Sequence, residues 1–325
     1  MDPFEPRQIG QTAVTVPAFG IGTAPLGRGP STLPDEQAIR TLRHAWERGI
    51  RYFDTAPYYG AGRAEERLGR AFADVDRDEL VLSTKVGRVL KPAEAETSRS
   101  ENALEPVFDF SPDGVAESLT ASRERLGFDE IDIALIHDPD DHYEQALEEA
   151  YPDIARRKAT GEFQAIGVGM NWAEPLTQFA KDGDFDCFLL AGRYTLLEQD
   201  ALDNLLPEVE RQGASIIAGG VFNSGLLVDP KPGATYNYAP APAEILEQAQ
   251  ALQAACNRHD VPLRAAALQF PLSHDAITTI IVGVQRPEEV DDNLEMLQRD
   301  IPAELWDDLR AEGMIRPDAP VPAET

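Results

Sequence analysis

The sequence predicts an α/β fold in which eight parallel strands and their helices close into a (β/α)8 TIM barrel. Eight short apolar segments alternate with segments of helical periodicity along the 325 residues. Such alternation is typical of parallel strands joined by right-handed helical crossovers. Hydrophobic residues make up 42% of the chain, enough to bury a large core without disulfides or metal ions. A doubly wound sheet is the alternative, but no G-x-G-x-x-G motif opens the first helix.

Each predicted element is a β-type run or a stretch of helical period bounded by turn residues. The strands are predicted at residues 19–23, 52–54, 79–85, 130–137, 163–169, 185–192, 214–220 and 276–283. The first helix covers residues 35–49, where Ile39, Leu42 and Ala45 share one face before a glycine. Further helices are predicted at residues 64–73, 111–127, 142–158, 173–181, 201–213, 243–259, 263–272 and 286–297.

Three further segments complete the predicted architecture. Residues 8–18 indicate a small β-hairpin that caps the barrel ahead of the first strand. Long connections at residues 86–110 and 221–242 follow strand ends, so we expect them to lie over the C-terminal mouth of the barrel. No linker or low-complexity tract divides the chain, and residues 1–325 are therefore predicted to form a single domain.

The chain is strongly acidic, with a net charge of −28 and five lysines. Such a charge disfavours binding to nucleic acid or to anionic membranes. Its scattered acids indicate a solvated surface, which solubility or adaptation to high salt could explain, and the scarcity of lysine favours the second. The N-terminus does not resemble a signal peptide, no apolar run is long enough to span a bilayer, and Cys187 and Cys256 lack metal-like spacing. We therefore expect a cytoplasmic protein without a metal site.

Four ionisable residues follow or end successive predicted strands. Asp54 ends the second strand and Tyr59 follows it, Lys85 ends the third strand and His137 ends the fourth. In a barrel these residues meet at the C-terminal mouth, where barrel enzymes carry their catalytic groups. Taken singly, each residue also has a structural explanation, such as a turn cap, a packed ring or a buried histidine. Four of them in one chemically coherent set favour a catalytic site.

This set of residues suits proton transfer by a phenol. A free tyrosine has a pKa near 10, too high for efficient proton transfer at neutral pH. A neighbouring ammonium favours the phenolate, so we expect Lys85 to lower the pKa of Tyr59 by about one to three units. Asp54 would keep Lys85 charged and oriented. His137 would share a hydrogen bond with the same substrate oxygen as Tyr59.

The motifs around these residues resemble the aldo-keto reductase superfamily. They are "GIRYFDTAPYYG", "LVLSTKVG", "DEIDIALIHDPDDH", "GEFQAIGVGMN" and "IIVGVQRPEEVDDNLEML", and together they extend from about residue 16 to 297. Within the superfamily, "IHDPDDH", "GVGMNW" and "GGVFNSGLL" are most similar to the D-threo-aldose 1-dehydrogenase or L-fucose dehydrogenase branch, with pyridoxal 4-dehydrogenase a close relative. The resemblance implies hydride transfer between a nicotinamide cofactor and a carbonyl or alcohol carbon, with Asp54, Tyr59, Lys85 and His137 as the catalytic tetrad.

The resemblance also implies a set of binding residues. The cofactor is expected to contact Gly22, Thr23, Asp54, Asn171, Gly220, Val221, Phe222, Asn223, Ser224, Gly225, Leu226, Gly283, Arg286, Glu289, Asp292 and Asn293. The substrate is expected to contact Tyr59 and His137, within aromatic walls formed by Tyr58, Phe108, Trp172 and Phe222, for which ordinary packing is the alternative. Asn171 stands one place later than the family's usual asparagine, and glycines occupy the position of its nicotinamide-stacking tyrosine.

Two of these positions bear on cofactor choice. Gly283 and Glu289 align with the lysine and arginine that hold the 2′-phosphate in NADP-specific members. Because Glu289 would repel that phosphate, NAD is expected, although Arg286 could still support NADP. The predicted function is oxidation of the anomeric hydroxyl of an aldose to a lactone. The alternatives are an NADPH-dependent carbonyl reductase, a pyridoxal 4-dehydrogenase or a non-catalytic regulatory barrel. The sequence allows a homo-oligomer and does not identify the sugar.

Overall fold

Eight parallel strands close into a barrel, as the sequence predicts. The structure is a computed structural model that describes residues 1–29, 31–93, 104–237 and 239–322. The barrel strands are β3 (Phe19–Gly22), β4 (Tyr52–Asp54), β5 (Val81–Val86), β8 (Ile133–His137), β9 (Ala165–Met170), β10 (Cys187–Ala191), β11 (Ser215–Gly219) and β14 (Ile277–Gly283). Each pairs in parallel with the next, and β14 closes the ring against β3. Every predicted strand is present, with ends that differ by at most three residues.

Helices cover the outside of the barrel between successive strands. They are α1 (Asp35–Glu47), α2 (Arg63–Phe72), α3 (Pro112–Leu126), α4 (Tyr143–Gln145), α5 (Tyr151–Ala159), α6 (Ala173–Asp182), α7 (Leu205–Gln212), α8 (Ala243–Arg258), α9 (Leu263–Gln269), α10 (Pro287–Gln298) and α11 (Ala303–Ala311). Their apolar faces pack on the strands, as α1 does with Ala38, Leu42 and Ala45. The helix predicted at 142–158 is instead α4 and α5 joined by a π-helical stretch, Ala146–Ala150. Helix α11 was not predicted.

The N-terminal hairpin closes the base of the barrel. Strands β1 (Pro6–Gln8) and β2 (Thr15–Pro17) pair antiparallel, which confirms the predicted cap. The Gly10 N–H donates to Oγ of Ser215, the first residue of β11, at 2.8 Å. Ile9, Val14 and Val16 are buried in one cluster with inward-facing strand residues. The barrel is therefore filled from below with apolar side chains and presents its polar end at the C-terminal mouth.

Both long connections lie at the C-terminal ends of strands and contain short hairpins. The first, after β5, contains β6 (Arg88–Pro92) paired antiparallel with β7 (Leu104–Phe108). The second, after β11, contains β12 (Thr235–Tyr236) paired with β13 (Ala239–Pro240). Residues 94–103 and 238 of these predicted loops lie outside the described residues. The mouth of the barrel is thus bordered by two hairpins that the sequence indicated only as loops.

Two global features of the described ranges bear on function. None of the helices there is long and apolar enough to cross a membrane. The same residues contain no cluster of three or more histidine, cysteine or acidic side chains that could hold a metal ion. Cys187 and Cys256 are both buried and unpaired with each other. Burial raises the pKa of the Cys256 thiol to about 11, so this cysteine stays protonated at neutral pH.

Candidate active site

Asp54 and Lys85 form a buried ion pair at the mouth of the barrel. Nζ of Lys85 donates to Oδ2 of Asp54 at 2.7 Å and to the carbonyl oxygen of Thr55 at 2.8 Å. Both side chains are only 1% exposed. Although burial alone would lower the pKa of Lys85, the carboxylate of Asp54 raises it above its ordinary value. The amine is therefore a fixed positive charge.

A hydrogen-bonded chain supports this pair from inside the barrel. Ser83 Oγ donates to Oδ1 of Asp54 at 2.8 Å, and the Tyr52 hydroxyl lies 3.1 Å from the same Oγ. Ser83 and Tyr52 are not among the predicted site residues. They precede Lys85 and Asp54 by two positions on β5 and β4, and alternate residues of a strand share a face. That period was the signal that could have identified them.

Tyr59 lies beside Lys85 in the turn that follows β4. The ammonium of Lys85 is 4.7 Å from the centroid of the Tyr59 ring. The backbone of this turn packs tightly against the loop after β3, since a Cβ added to Gly27 would lie 2.5 Å from the carbonyl carbon of Tyr59. Gly60 has a φ of +69° and contacts the same glycine. The position of the phenol is thus fixed by backbone packing as well as by its neighbours.

His137 completes the predicted set at the end of β8. Its ring centroid lies 5.9 Å from that of Tyr59, with the two planes at 89°. Burial, with further contributions from Lys85 and Arg88, holds the pKa of His137 well below its ordinary value. The imidazole is therefore neutral. Nδ1 is buried without a hydrogen-bond partner among the described residues, whereas Nε2 lies 3.6 Å from Oδ2 of Asp138.

The expected lowering of the Tyr59 pKa is wrong for the protein alone. Burial raises the pKa of Tyr59 to about 12, because desolvation of the phenolate outweighs the opposing effect of Lys85. The carboxylate of Asp54 also raises it. Lys85 therefore lowers the pKa of Tyr59, as predicted, but by less than burial raises it. At neutral pH the phenol is protonated and can donate a proton.

Aromatic side chains border the mouth above these groups. Tyr58, Phe108 and Trp172 are between 44% and 52% exposed, which is unusual for rings of this size. Phe222, the fourth predicted wall residue, is half-buried and packs against the main hydrophobic core. Three of the four predicted rings are thus available for contact with a ligand.

The predicted cofactor residues lie at strand ends on the same face. Gly22 ends β3 and Thr23 follows it, Asn171 follows β9, and residues 220–226 follow β11. In that last loop Gly220, Asn223, Ser224 and Gly225 all have positive φ, and the N–H groups of Asn223, Gly225 and Leu226 donate to carbonyl oxygens of the same loop. The loop includes the predicted Val221, Phe222 and Leu226.

The remaining predicted cofactor residues surround the end of β14 and the start of α10. Glu289 accepts hydrogen bonds from the Gln285 N–H at 2.7 Å and from Nε of Arg286 at 3.1 Å. A Cβ at Gly283 would lie 2.5 Å from Cγ of Pro25, so this position has no room for a side chain. Asn293 is buried. Asp292 is paired with Arg264 of α9, where Nη2 to Oδ1 is 3.0 Å, and so has a structural partner already.

Two charged residues that were not predicted lie next to His137. Nη2 of Arg88 donates to Oδ2 of Asp138 at 2.5 Å, and both border the cavity at the mouth. Asp138 directly follows His137, and Arg88 begins the β6–β7 hairpin. This pairing was not predictable, because the two residues are 50 positions apart and Arg88 is positioned by a hairpin that the sequence indicates only as a loop.

Comparison with known proteins identifies the family. The Aldo/keto reductase family matches residues 18–312. The chain is 40% identical to D-threo-aldose 1-dehydrogenase of Pseudomonas sp over 308 residues, which cover 91% of this chain and 94% of the relative. It is 39% identical to pyridoxal 4-dehydrogenase of Microbacterium luteolum over 336 residues, 96% and 98% of the two chains. L-galactose dehydrogenase of Arabidopsis thaliana is 30% identical over 304 residues, 90% and 88% of the two chains.

Solved structures give the same fold. The holo form of an aldo-keto reductase from Bacillus halodurans superposes with a TM-score of 0.77 at 24% identity, covering 99% of each chain. A glycerol dehydrogenase from Gluconobacter oxydans superposes with a TM-score of 0.75 at 20% identity, covering 98% of each chain. At these identities the likeness establishes the barrel alone.

The fold and the match over most of its length make this chain a (β/α)8 oxidoreductase that uses a nicotinamide cofactor. It belongs to the aldo/keto reductase family and acts on CH–OH or C=O groups.

Proposed function

We propose that the protein oxidises the anomeric hydroxyl of an aldose to the corresponding lactone, with NAD as hydride acceptor. The observation that carries the proposal is the convergence of Tyr59, Lys85, Asp54 and His137 at one point of the barrel mouth. The 40% identity to an enzyme named D-threo-aldose 1-dehydrogenase supports an aldose as the substrate.

Each of the four groups has one role in this proposal. Tyr59 accepts the proton of the anomeric hydroxyl as the general base. Lys85 stabilises the resulting phenolate, and Asp54 keeps Lys85 charged and directed at the ring. His137, neutral because its pKa is well below the ordinary value, donates a hydrogen bond from Nε2 to the same hydroxyl and orients it.

The oxidation balances with one hydride and one proton. The O–H bond of the anomeric hydroxyl breaks and its proton passes to Tyr59, while the C1–H bond breaks and its hydrogen departs as hydride, so that the C1=O bond forms. A nicotinamide bound at the mouth would accept this hydride in its oxidised form, and its positive charge would then favour the Tyr59 phenolate. The proton on Tyr59 then passes to solvent. In the reverse direction the phenol, which a pKa of about 12 keeps protonated at neutral pH, donates its proton to a carbonyl oxygen.

The residues at the mouth fit a dinucleotide. Oγ1 of Thr23 and Oδ1 of Asn223 are buried and have no hydrogen-bond partner among the described residues, and both follow strand ends at the mouth. Unpartnered buried polar atoms are costly unless a ligand satisfies them. The start of helix α10 near Pro287 is the positive end of the helix dipole and would favour phosphates there. Asn171 would bind the carboxamide, and residues 220–226 would cover the phosphates.

Three features favour NAD over NADP. Glu289 is an acid at the position where a 2′-phosphate would need a cation. Arg286, the cation nearby, is held by Glu289, with Nη2 to Oε1 at 3.0 Å. Gly283 cannot be replaced by a lysine without displacing Pro25. Glu289 could instead accept hydrogen bonds from the ribose hydroxyls.

One alternative substrate has support of its own. The 39% identity to pyridoxal 4-dehydrogenase covers 96% of this chain. The exposed rings of Tyr58, Phe108 and Trp172 could stack on a pyridine ring as well as on a sugar.

A substrate panel tests the proposal. L-fucose, D-arabinose, L-galactose, pyridoxal and simple aldehydes would each be assayed with NAD and NADP, and an aldose with NAD is expected to give the highest kcat/KM. Tyr59→Phe should lower that value by about 10³-fold or more. Tyr151→Phe, which removes a hydroxyl that accepts from the Asp184 N–H, is the matched control. Exclusive turnover of pyridoxal, or tighter binding of NADP than NAD, would refute the corresponding part of the proposal.

A further inference from the structure

The Arg88–Asp138 pair lies directly beside His137 at the mouth of the barrel. Oδ2 of Asp138 is 3.6 Å from Nε2 of His137, the atom proposed to hold the reacting hydroxyl. Both charged side chains line a cavity of about 380 Å³, whose other lining residues include Phe108, Asp140, Asp141 and Asn171 but not Tyr59 or His137. That volume falls in the range of small-molecule sites.

Two aromatic rings pack against the Arg88 guanidinium. Its Cζ lies 4.2 Å from the centroid of Tyr58 and 4.7 Å from that of Phe108. Nε is buried and makes no hydrogen bond among the described residues. A guanidinium held in this way keeps a fixed direction for its remaining donors, which a flexible surface arginine would not.

The backbone of Asp138 is held in a conformation that disfavours most side chains. Its φ is +45°, and its N–H donates to the Gly169 carbonyl at 2.9 Å. Left-handed backbone at a non-glycine residue is uncommon and is concentrated at functional sites. Oδ2 is paired with Arg88, whereas Oδ1 accepts no hydrogen bond from any described residue. One carboxylate oxygen therefore remains available to a ligand next to His137.

We propose that Asp138 and Arg88 together bind the hydroxyl on the carbon adjacent to the oxidised one, so that the enzyme requires a 2-hydroxy substrate. Asp138 accepts the hydrogen of that hydroxyl, and Arg88 donates to its oxygen. Tyr58 and Phe108 supply the apolar surface against which the C–H face of the substrate packs. This inference takes its substrate class from the proposed function. It adds that Asp138 and Arg88 recognise the substrate by the hydroxyl next to the oxidised carbon.

A site built to bind a hydroxyl discriminates strongly against an analogue that lacks it, because its own polar groups are then left without a partner. Here Asp138 and Arg88 still satisfy one another when the hydroxyl is missing. We therefore expect the 2-deoxy aldose to react about 10- to 100-fold more slowly than its parent in kcat/KM. Simple aldehydes would be poorer substrates than 2-hydroxyaldehydes for the same reason.

The test compares each aldose with its 2-deoxy analogue in the wild type and in Asp138→Asn. Asparagine offers no negative charge to the hydroxyl and weakens the hold on Arg88, so the ratio of parent to 2-deoxy kcat/KM should fall to within about threefold of one. Arg88→Lys, which keeps the charge but loses the planar fork, should lower the ratio in the same direction. Equal losses on both substrates, with the ratio unchanged, would overturn the proposal.

The chain contains a matched control on the same strand. Asp132 directly precedes β8, as Asp138 directly follows it, and pairs with Arg77 at 2.7 Å. The two pairs are comparably buried, with side chains 17% and 12% exposed for Arg77 and Asp132, against 15% and 22% for Arg88 and Asp138. Asp132→Asn should lower thermal stability but leave the ratio of parent to 2-deoxy activity as in the wild type. A ratio that falls in this variant as well would refute the assignment.

A second assay separates this inference from the proposed function. Reduction of lactaldehyde and of propanal with NADH compares a 2-hydroxyaldehyde with its deoxy analogue and needs no aldose. If the wild type oxidises no aldose yet prefers lactaldehyde, and Asp138→Asn removes that preference, the recognition site stands while the aldose proposal fails. If aldoses are oxidised but the preference in neither substrate pair depends on Asp138, the aldose proposal stands while the recognition site fails.

Discussion

Lys85 and Asp54 face each other across neighbouring barrel strands, with Nζ of the lysine 2.7 Å from Oδ2 of the aspartate. Both side chains are 1% exposed, so neither charge is stabilised by bulk water. Each depends on the other and on the surrounding hydrogen bonds from Ser83 and to Thr55. The pair therefore contributes to both the stability of the barrel and the charge beside Tyr59.

Breaking this pair from one side should be costly to folding. Lys85→Met leaves a buried carboxylate unpaired, and we expect the free energy of unfolding to fall by about 3–5 kcal/mol. The double variant Asp54→Asn with Lys85→Met removes both charges and should recover much of that loss. Urea unfolding of the wild type, both single variants and the double variant gives the coupling energy. Additive losses would mean that the two charges do not depend on each other.

Lys85→Met should also shift the pH dependence of oxidation. The ammonium favours the Tyr59 phenolate, so its removal raises the pKa of Tyr59 further. The phenolate is the reactive form in oxidation. At pH values below the pKa of Tyr59, the fraction of enzyme that carries this phenolate rises tenfold per pH unit. With saturating NAD, kcat/KM of the variant should therefore level off at a higher pH than that of the wild type, and the difference in rate should narrow toward alkaline pH. Levelling at the same pH in both proteins would contradict the coupling.

Gly27→Ala should impair catalysis through the position of Tyr59. A Cβ at residue 27 would lie 2.5 Å from the Tyr59 carbonyl carbon, so the turn must shift. A displacement of this order at a reacting group costs about 10²-fold in rate. Gly29→Ala, in the same loop with nothing within 4 Å of the added Cβ, should change kcat by less than about twofold. Equal effects of the two substitutions on kcat would argue against positional control.

Glu289→Gln should relax the preference for NAD. The substitution removes the charge that opposes a 2′-phosphate and releases Arg286, while the amide oxygen can still accept the Gln285 N–H. We expect the ratio of the NADP and NAD dissociation constants to fall about tenfold, measured by fluorescence titration. Glu288→Gln makes the same change of charge at an exposed neighbour and should leave the ratio nearly unchanged.

The acidic surface predicts a response to salt. With a net charge of −28, repulsion among surface carboxylates opposes the compact state, and salt screens it. If the surface reflects adaptation to high salt, Tm should continue to rise as KCl increases from about 0.15 M, where the Debye length is already about 8 Å, into the molar range. A Tm that does not change across this range would contradict the adaptation of the surface to high salt.

The barrel was predictable because its strands are short, apolar and regularly spaced. Residues 52–54 and 276–283 were assigned within a residue of β4 and β14. Helix α11 was missed although Leu305, Trp306 and Leu309 form a buried face, because it follows the eighth unit and adds nothing to the alternation of strands and helices. The π-helical stretch Ala146–Ala150 has no such periodic signature.

The site was predictable only as far as it depends on strand ends. Tyr59, Lys85 and His137 were found because the topology alone brings strand termini together. The net shift of the Tyr59 pKa could not be predicted in the same way. It depends on how deeply the turn buries the phenol, and burial raises the pKa by more than the Lys85 ammonium lowers it. The Arg88–Asp138 pair depends on the β6–β7 hairpin, whose fold within a long acidic loop leaves no periodic pattern to read.

The hairpin that seals the base of the barrel limits how protons and molecules reach the reaction centre. Below Asp54 the chain of hydroxyls ends at Tyr52, which lies in the same apolar cluster as Ile9, Val14 and Val16. A proton taken up by Tyr59 therefore has to depart upward, past the aromatic rim. The proton, the substrate and the product therefore all pass the same rim, and larger side chains at that rim would slow proton release and ligand exchange together.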